Sequence, residues 1–360
     1  MHRWSSPLRG DSGGTGEADF RTWHTCRRSP PRHRSVKPET ETETALASLL
    51  LDPDGPVVAA IGGGHGQAAA LEAIQTYASK ISALVTVADD GGSSGRLTSL
   101  GIPPPGDIRR CLLALTPEPN LWSELFAHRF EGGDIHEHSL GNLILAALTE
   151  LFGDFPSAVA TSEMMLGTLG TVIPVADQPV TLSANVDGRS IAGQVAIAES
   201  RGHISDLSID PIDTAASRIA LEAVAGADQI VIGPGSLYTS LISALMVQML
   251  APAVMGAAAQ RVFVLNLVTQ DGETLGMTGE DHLEALLIHA GIEGPGVVVA
   301  HEGDLDLPEG HQSITIDSET ASRHGWRVVF ADVADQRADW PAHDPMKLGR
   351  VLEDLAEPKA

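Results

Sequence analysis

The sequence predicts an α/β protein: a mostly parallel, Rossmann-like sheet in a three-layer α/β/α arrangement, with one β-hairpin excursion. From Pro56 onward, short β-branched runs alternate with longer helical patterns, as in parallel sheets with crossover helices. Two of these runs, ending at Ile61 and Ile232, lead into glycine loops that open helices, an arrangement that forms anion sites. An Asp187-Gly188 turn between two alternating segments in 180–200 predicts the hairpin.

Seven strands and eight main helices account for the pattern along the chain. Strands are predicted at 56–61, 81–88, 171–175, 228–232, 261–267, 296–300 and 327–332. Helices are predicted at 66–79, 107–115, 139–151, 156–169, 214–226, 239–250, 280–291 and 344–356, after a short helix and turn within 39–55. Alternation of this kind gives one sheet whose carboxyl edge carries the functional loops.

Three regions follow from composition. Residues 1–45 are expected to be a disordered basic extension, because 1–38 carry eight Lys or Arg against three acids and show no periodicity. A basic docking arm is the alternative. Residues 46–345 are predicted to form a single α/β domain, and 344–360 a C-terminal helix and tail.

Composition also excludes several classes of protein. A formal net charge of −24 argues against a general nucleic-acid binder, which needs a basic surface. Cys26 and Cys111 are the only cysteines, so a disulfide framework or a cysteine metal cage is not available. No apolar run reaches the roughly 18 residues of a membrane span, and the first 40 residues lack a signal-like stretch. We therefore expect a cytoplasmic protein without a membrane span.

The first glycine loop fits the pattern G-x-G-x-x-A from Gly64 to Ala69. Glycines there permit a tight turn and close approach of a phosphate, and the small last residue lets helix and strand pack. The next strand ends in Asp89-Asp90, about where a dinucleotide fold places its ribose-binding acid. The motif by itself is weak, but this context strengthens it.

Two segments after the second strand place charged groups near that loop. The run VADDGGSSGRL carries paired carboxylates, hydroxyls and Arg96, with a solvated turn in which Asp89 caps a serine as the alternative. The run GIPPPGDIRR carries Asp107 and the pair Arg109-Arg110, which suggests a clamp for an anionic ligand. Here the alternative is an Asp107 helix cap with arginines paired to surface acids.

Further polar residues follow in three motifs. In HEHSLGN, Ser139 or Asn142 can cap a helix and His138 can contact a ligand; a metal role for the two histidines would need help from elsewhere. GPGSLYTS places hydroxyls at a helix start and Tyr238, which either stacks on a base or sugar or packs in the core. In NLVTQDGET, Asn266 and Thr269 end another strand and could read a sugar or base edge.

Six ordered motifs, IGGGHG, VADDGGSSGRL, PPGDIRRCL, HSLGNLILAAL, GPGSLYTS and NLVTQDGET, resemble those of the YvcK/GlmR proteins. These gluconeogenesis factors belong to the CofD-like superfamily with 2-phospho-L-lactate transferase. The resemblance covers about 56–291 firmly and the C-terminal part loosely. It implies a bacterial regulatory protein that binds UDP-sugars, notably UDP-N-acetylglucosamine. It further implies roles in cell shape, growth on gluconeogenic carbon, and amino-sugar and peptidoglycan precursor supply.

The resemblance also implies site residues by motif matching. Assigned to the nucleotide phosphates are Gly62, Gly63, Gly64 and Gly66, with His65 between them. Assigned to the ligand or a metal are Asp89, Asp90, Gly91, Gly92, Ser93 and Ser94, with the two aspartates as the metal ligands. Assigned to the pocket wall are Arg96, Asp107, Arg109, His138, Asn142, Gly233, Gly235, Ser236, Tyr238, Asn266 and Thr269.

This chain departs from the family pattern at two positions. His65 stands where the family has threonine, and a histidine is larger and titrates near pH 6.5. Met277 stands where an aromatic residue is common. Ligand choice is therefore expected to differ, and stacking at Met277 is not expected.

Three functions remain open at this point. The first is a non-catalytic UDP-sugar sensor that needs no cofactor, with a homodimeric state and an amino-sugar synthesis enzyme as its protein partner. The second is a phospholactate-type transferase in which Asp89 and Asp90 hold Mg²⁺. The third is an NAD(P) oxidoreductase, which rests on fold analogy alone because no hydride-transfer constellation is present.

Overall fold

The computed structural model describes residues 51–356 except 99, 137, 308 and 339, and no side chain at 92, 93 or 98. The predicted extension 1–45 and the last four residues of the predicted tail lie outside this range. The strands are β1 Val57–Gly62, β2 Lys80–Val85, β3 Thr171–Pro174, β4 Thr181–Val186, β5 Arg189–Ala192, β6 Ile204–Asp210, β7 Gln229–Ile232, β8 Gln260–Val264, β9 Gly296–His301 and β10 Trp326–Ala331.

Seven of these strands form the central sheet in the order β10-β9-β8-β7-β1-β2-β3, and all its neighbouring pairs are parallel. Strand β1 pairs with β2 on one side and with β7 on the other. The chain therefore winds outward from β1 in one direction and from β7 in the other. The point where the order reverses, between β1 and β7, is where ligands bind in open sheets of this type.

The strands of the sheet except the edge strand β10 are largely buried, and apolar clusters lie on both faces, which confirms the three-layer prediction. In β7, Ile230 and Ile232 contribute to one apolar cluster and Val231 to the other. Trp326 and Phe263 pack in the first cluster, and Leu71 in the second. Near-continuous apolar strands are the sequence signature of a sheet covered by helices on both sides.

The described helices are α1 Gly64–Ile74, α2 Gly92–Thr98, α3 Pro105–Ala114, α4 Leu121–Ala127, α5 Leu140–Phe152, α6 Phe155–Leu166, α7 Gln194–Ser200, α8 Arg218–Ala225, α9 Leu250–Gly256, α10 Gly279–Ala290, α11 Ser318–Arg323 and α12 Pro345–Ala356. A π-helix spans Leu237–Ile242, continued by one α-helical turn, Ser243–Leu245. Among the described helices, none combines the length and apolar character needed to cross a bilayer.

Two sequence predictions need correction. The hairpin's second strand ends at Ala192, where Gly193 (φ 99°) turns the chain into α7, and β6 adds a third strand to this sheet. The helix predicted at 239–250 is instead the π-helix and a turn, broken at Met249 (φ 72°). Tertiary contacts override the strand alternation at the first place and the helical periodicity at the second. The short helices α2, α4, α7 and α11 were not predicted, because seven or fewer residues carry little periodicity.

Candidate functional site

A cleft of about 480 Å³ lies at the carboxyl ends of β2, β1, β7 and β8, across the switch point. Parallel strands bring the loops that follow them to this one edge. Its lining residues come from both glycine loops, the segments after β2 and β8, and a C-terminal segment: Gly63, Gly64, His65, Gly66, Ala69, Asp89, Asp107, Arg110, Gln194, Pro234, Gly235, Ser236, Ser240, Asn266, Leu267, Val268, Thr269, Gln270, Trp340, Pro341, Ala342 and His343.

The first glycine loop becomes the opening turn of α1. Gly63 is the extended N-cap residue, and Gly64 has φ +67° with open space where a Cβ would lie. The N–H of Gly64 is bonded to the Asp107 carboxylate. The N–H groups of His65 and Gly66 have no acceptor among the described residues. Both residues line the cleft, so the first turn of α1 offers donors to an anion.

The two glycine loops touch each other. A Cβ on Gly66 would lie 2.5 Å from the carbonyl oxygen of Pro234 and 2.8 Å from the nitrogen of Gly235. A Cβ on Gly235 would lie 3.4 Å from the carbonyl oxygen of Gly63. Because the backbones approach this closely, the loops form one continuous floor of the cleft. A side chain at Gly66 would separate them.

Side chains from the segment after β8 hold the second loop. Asn266 accepts a hydrogen bond from the Gly235 N–H (2.9 Å) and donates one to the Gly235 carbonyl (2.8 Å). The Ser236 hydroxyl bonds to the Gln270 side chain at 2.9–3.0 Å. Thr269 is buried, and its hydroxyl accepts from the Gln312 N–H. The amide of Asn266 is therefore engaged with the loop itself.

A buried carboxylate occupies the start of the second helix. Glu273 accepts hydrogen bonds from the N–H groups of Tyr238 and Thr239 and from the hydroxyls of Thr239 and Ser236. Burial raises the pKa of Glu273, and these hydrogen bonds oppose that rise. The expectation that this helix start is open to a ligand anion was therefore wrong: an acid of the same chain already takes its donors.

The two adjacent aspartates after β2 point to different partners. Asp90 accepts from the Val195 N–H at 2.9 Å, at the start of α7. Asp89 accepts from the Gly91 N–H at 2.9 Å and lines the cleft. The carboxylate that accompanies Asp89 in the cleft is Asp107, whose pKa Asp89 raises. A metal role for Asp89 and Asp90 stays a prediction, and the geometry favours Asp89 with Asp107.

Asp107 is the most perturbed acid of the cleft. Burial, followed by the charge of Asp89, raises its pKa to about 6, against the opposing effects of Arg110 and the Gly64 N–H. Arg110 forms an ion pair with it. Arg110, unlike its predicted neighbour Arg109, lines the cleft. It is therefore the cation best placed to meet a ligand phosphate.

The Arg109 side chain is buried and forms its hydrogen bonds within the protein interior. Its Nε donates to Asn142 Oδ1 at 3.1 Å, and its Nη1 donates to the Phe126 carbonyl at 3.4 Å. Burial, then the nearby charges of Arg110 and Arg129, lower its pKa to about 10. Two residues predicted for the pocket wall, Arg109 and Asn142, thus pair with each other and are absent from the lining of the cleft.

His65, the residue predicted to stand in place of a threonine, lines the cleft in the first turn of α1. Burial, then the charges of Arg110 and Arg109, lower its pKa, so the ring is neutral at pH 7. A neutral imidazole offers one N–H donor and one acceptor. A bound phosphate would counter the arginine charges and raise the pKa of His65.

The other predicted residues lie around the cleft rather than in its lining. Tyr238 is buried, with its hydroxyl 3.8 Å from Met277 Sδ, which favours the core alternative. Arg96 donates to the His136 carbonyl at 3.3 Å. The remaining positions lie beside the loops that form the cleft or in α2 and the segment before α5: Gly62, Gly91, Gly92, Ser93, Ser94, His138 and Gly233. Their roles in binding stay predictions.

The described residues contain no group of three or more His, Cys, Asp or Glu side chains able to hold a metal ion. Asp89 and Asp107 are two oxygen ligands of the type that Mg²⁺ uses, and it commonly takes only one or two carboxylates with waters and substrate phosphates. Their mutual repulsion, which contributes to the raised pKa of Asp107, is what a cation would relieve. These residues fit such an ion only in the presence of a phosphate ligand.

Sequence reasoning missed one wall of the cleft. Residues 340–343 line it, although they come after the last strand. The signal was present as a tryptophan in the polar run ADWPAHD, but no periodicity links that run to the sheet edge. Gln194, at the start of α7, was also missed, and nothing in its sequence context marks it.

Comparison with known proteins agrees with this architecture. The family model described as 2-phospho-L-lactate transferase CofD matches residues 58–334. The gluconeogenesis factor of Bacillus subtilis is 38% identical over 310 residues, which cover 83% of this chain and 98% of the relative. The gluconeogenesis factor of Halalkalibacterium halodurans is 43% identical over 238 residues, covering 65% and 74%.

A solved structure shows the same fold. The crystal structure of a UPF0052 family member from Bacillus halodurans superposes with a TM-score of 0.79 at 35% identity, covering 83% of this chain and 99% of that one. Almost the whole length of the solved chain therefore has a counterpart in this protein. The family match over residues 58–334 and the sequence identity over most of the chain lead to one assignment. This chain belongs to the CofD family and, within it, to the gluconeogenesis factors.

Proposed function

We propose that this protein binds a UDP-sugar, notably UDP-N-acetylglucosamine, and acts as a regulator rather than an enzyme. The names of its relatives support a role in growth on gluconeogenic substrates. Cell shape and the supply of amino-sugar and peptidoglycan precursors are the processes it would control. A homodimeric state, a cytoplasmic location and an amino-sugar synthesis enzyme as partner belong to the same proposal.

The observation that carries the proposal is that the two glycine loops touch and together form the floor of the cleft. Of the two helix starts, that of the first loop has N–H groups without an acceptor among the described residues. His65 and Gly66, whose N–H groups have no acceptor among the described residues, line the cleft together with Arg110. Backbone donors at a helix start together with an arginine form a site for a diphosphate. Serine and glutamine side chains in the same lining suit sugar hydroxyls: Gln194, Ser236, Ser240 and Gln270.

Isothermal titration calorimetry with UDP-N-acetylglucosamine tests this function. We expect saturable binding by the natural protein and a loss of roughly 10- to 150-fold in Arg110→Gln, because a hydrogen bond to a charged group contributes about 1.5–3 kcal/mol. Arg350→Ala, an exposed arginine on α12, is the matched control and should bind normally. Unfolding of each variant by denaturant separates loss of binding from loss of fold. No binding of any UDP-sugar by the natural protein would contradict the proposal.

The transferase alternative rests on a specific observation, the Asp89 and Asp107 carboxylates that share the cleft with the phosphate floor. A bound Mg²⁺ would neutralise charge on a transferring phosphoryl group. The protein would be incubated with Mg²⁺, a guanylylated phospholactate donor and a deazaflavin acceptor. Product that disappears in Asp89→Asn would replace the regulatory proposal by a catalytic one.

A further inference from the structure

The C-terminal wall of the cleft is a short strap, which we define as residues 333–338 and 340–344. Its base is fixed by a hydrogen bond from the Asp335 N–H to the Ala342 carbonyl (2.8 Å) and from the Asp344 N–H to the Val333 carbonyl (2.9 Å). Lys347 donates to the Ala334 carbonyl at 2.8 Å. The CofD family match ends at residue 334, so most of the strap lies beyond the pattern shared with the transferase.

Trp340 of the strap is 50% exposed although it lines a concave cleft. His311 contacts its ring at a centroid distance of 5.0 Å with the planes nearly perpendicular. A tryptophan that remains half exposed inside a cleft presents apolar surface for a ligand to cover.

The same strap holds a buried ring nitrogen that has no hydrogen-bond partner among the described residues. The buried His343 ring hydrogen-bonds the Leu265 backbone, and its Nε2 has no partner among the described residues. Burial, aided by the charge of His301, lowers the pKa of His343 to about 4, against the opposing effect of the Leu265 hydrogen bond, so the ring is neutral at pH 7. With the other nitrogen donating to a carbonyl, Nε2 carries the lone pair and can accept a ligand N–H.

The residue types that line the cleft change along the edge of the sheet. Its acidic residue Asp89 follows β2, its glycine floor follows β1 and β7, and Leu267 and Val268 follow β8. The strap joins this last end, because His311, which touches Trp340, precedes Gln312, which bonds to the Thr269 backbone. The glycine floor thus lies between Asp89 and an end that carries the Trp340 and His343 rings. The lining after β8 is mixed: Asn266, Leu267, Val268, Thr269 and Gln270.

We infer that the strap is the base subsite: Trp340 stacks on the nucleobase of a nucleoside diphosphate sugar and His343 Nε2 accepts an N–H of that base. The diphosphate lies on the glycine floor, and the sugar lies toward Asp89 and Gln194. This assignment rests on the proposed nucleotide function and adds to it the orientation of the ligand. A nucleobase suits the half-exposed Trp340 ring, because every base offers a flat face that stacks on an aromatic side chain.

Calorimetric titration with UDP and with UDP-N-acetylglucosamine tests the orientation. Trp340→Ala should weaken both ligands by the same factor, roughly 5- to 150-fold, the change that about 1–3 kcal/mol of base stacking gives. Trp340→Phe should recover most of the affinity. Trp122→Ala, which removes a 43% exposed tryptophan from α4 outside the cleft lining, should bind within about twofold of the natural protein. His343→Asn, whose shorter side chain can still donate to Leu265 but has no acceptor at the position of Nε2, should weaken both ligands roughly 5- to 10-fold, as loss of one hydrogen bond does.

Each other result has a definite meaning. If the natural protein binds UDP-N-acetylglucosamine and Trp340→Ala binds it within about twofold, the base subsite is wrong while the proposed function stands. If Trp340→Ala weakens UDP-N-acetylglucosamine but not UDP, the strap contacts the sugar and the orientation is reversed. If the natural protein binds neither ligand, the proposed function fails and the base subsite fails with it.

Discussion

The two glycine loops share the order strand, glycines, helix, but they differ in whether the N–H groups at the helix start are hydrogen-bonded. In each, a strand of the central sheet ends in glycines and a helix begins at once. At the first loop, the second and third N–H groups of the helix, those of His65 and Gly66, have no acceptor among the described residues. At the second loop, the equivalent N–H groups, those of Tyr238 and Thr239, bond to the buried Glu273 carboxylate.

The difference teaches that a glycine loop before a helix marks where an anion can bind, and not which anion binds there. The second loop receives its carboxylate from the chain itself, delivered by the segment after β8. It then serves as a rigid support against which Gly66 packs. The first loop gives the Gly64 N–H to Asp107, and the N–H groups of His65 and Gly66 have no acceptor among the described residues. Three variants test this division, from the largest expected effect to the smallest.

Removing the internal anion should destabilise the fold most. Glu273→Ala leaves two buried N–H groups and two hydroxyls without their acceptor, and we expect a loss of about 2–4 kcal/mol in the free energy of unfolding. Glu273→Gln keeps one acceptor oxygen and should lose less. Denaturant unfolding measures both. Glu284→Ala, an exposed acid on α10, should stay within about 0.5 kcal/mol. Normal stability of Glu273→Ala with lost ligand binding would instead place Glu273 among the ligand contacts.

Separating the loops should have an intermediate effect. Gly66→Ala places a Cβ 2.5 Å from the Pro234 carbonyl oxygen, and we expect about 1–3 kcal/mol of lost stability together with weaker UDP-sugar binding. Gly256→Ala, where a Cβ meets nothing within 4 Å, should be neutral within about 0.5 kcal/mol. Thermal and denaturant unfolding compare the two variants. If Gly66→Ala were as stable as Gly256→Ala, the loops would not form one rigid floor.

Asp107, the acid on α3 that bonds to the Gly64 N–H of the first loop, should make the stability of the fold depend on pH. The folded pKa of Asp107, about 6, lies above the ordinary value of 3.8, so the folded state holds the proton more tightly. The stabilisation of the folded state by protonated Asp107 is therefore lost as pH rises from about 4 to about 6. From pH 5 to pH 7.5, the free energy of unfolding of the natural protein should fall by about 1–2 kcal/mol more than that of Asp107→Asn. Urea unfolding at both pH values measures this difference. Parallel pH profiles for the two proteins would show that Asp107 has an ordinary pKa.

Much of the fold could be predicted because its signals are local. All seven strands of the central sheet were predicted to within a few residues, since buried parallel strands are apolar throughout and flanked by glycine or polar turns. The hairpin turn was predicted from Asp187-Gly188, and both residues have positive φ. The π-helix at Leu237–Ile242 was missed, because its hydrogen-bond pattern depends on Glu273, a residue distant in sequence.

The candidate site was predicted less completely than the fold. Residue types and motifs placed Gly63 to Gly66, Asp89 and Asp107 in one region, and the structure brings them into one cleft. They could not distinguish Arg109 from Arg110, because which of two neighbours on a helix faces inward depends on the packing of α3 against its neighbours. Arg109 is held by Asn142 and Phe126. The strap was missed because it is joined to the cleft only through tertiary contacts.

The sequence by itself determined the α/β class, the parallel strands, the positions of the two glycine loops and the family, since each depends on short patterns of apolar residues, glycines and motifs. Only the tertiary structure decided which donors remain open. Whether the N–H groups of a helix start are free depends on which carboxylate the fold carries to them, and Asp90, Asp107 and Glu273 are each delivered to a different helix start. Backbone donors are identical in every sequence, so their availability is a property of the folded chain.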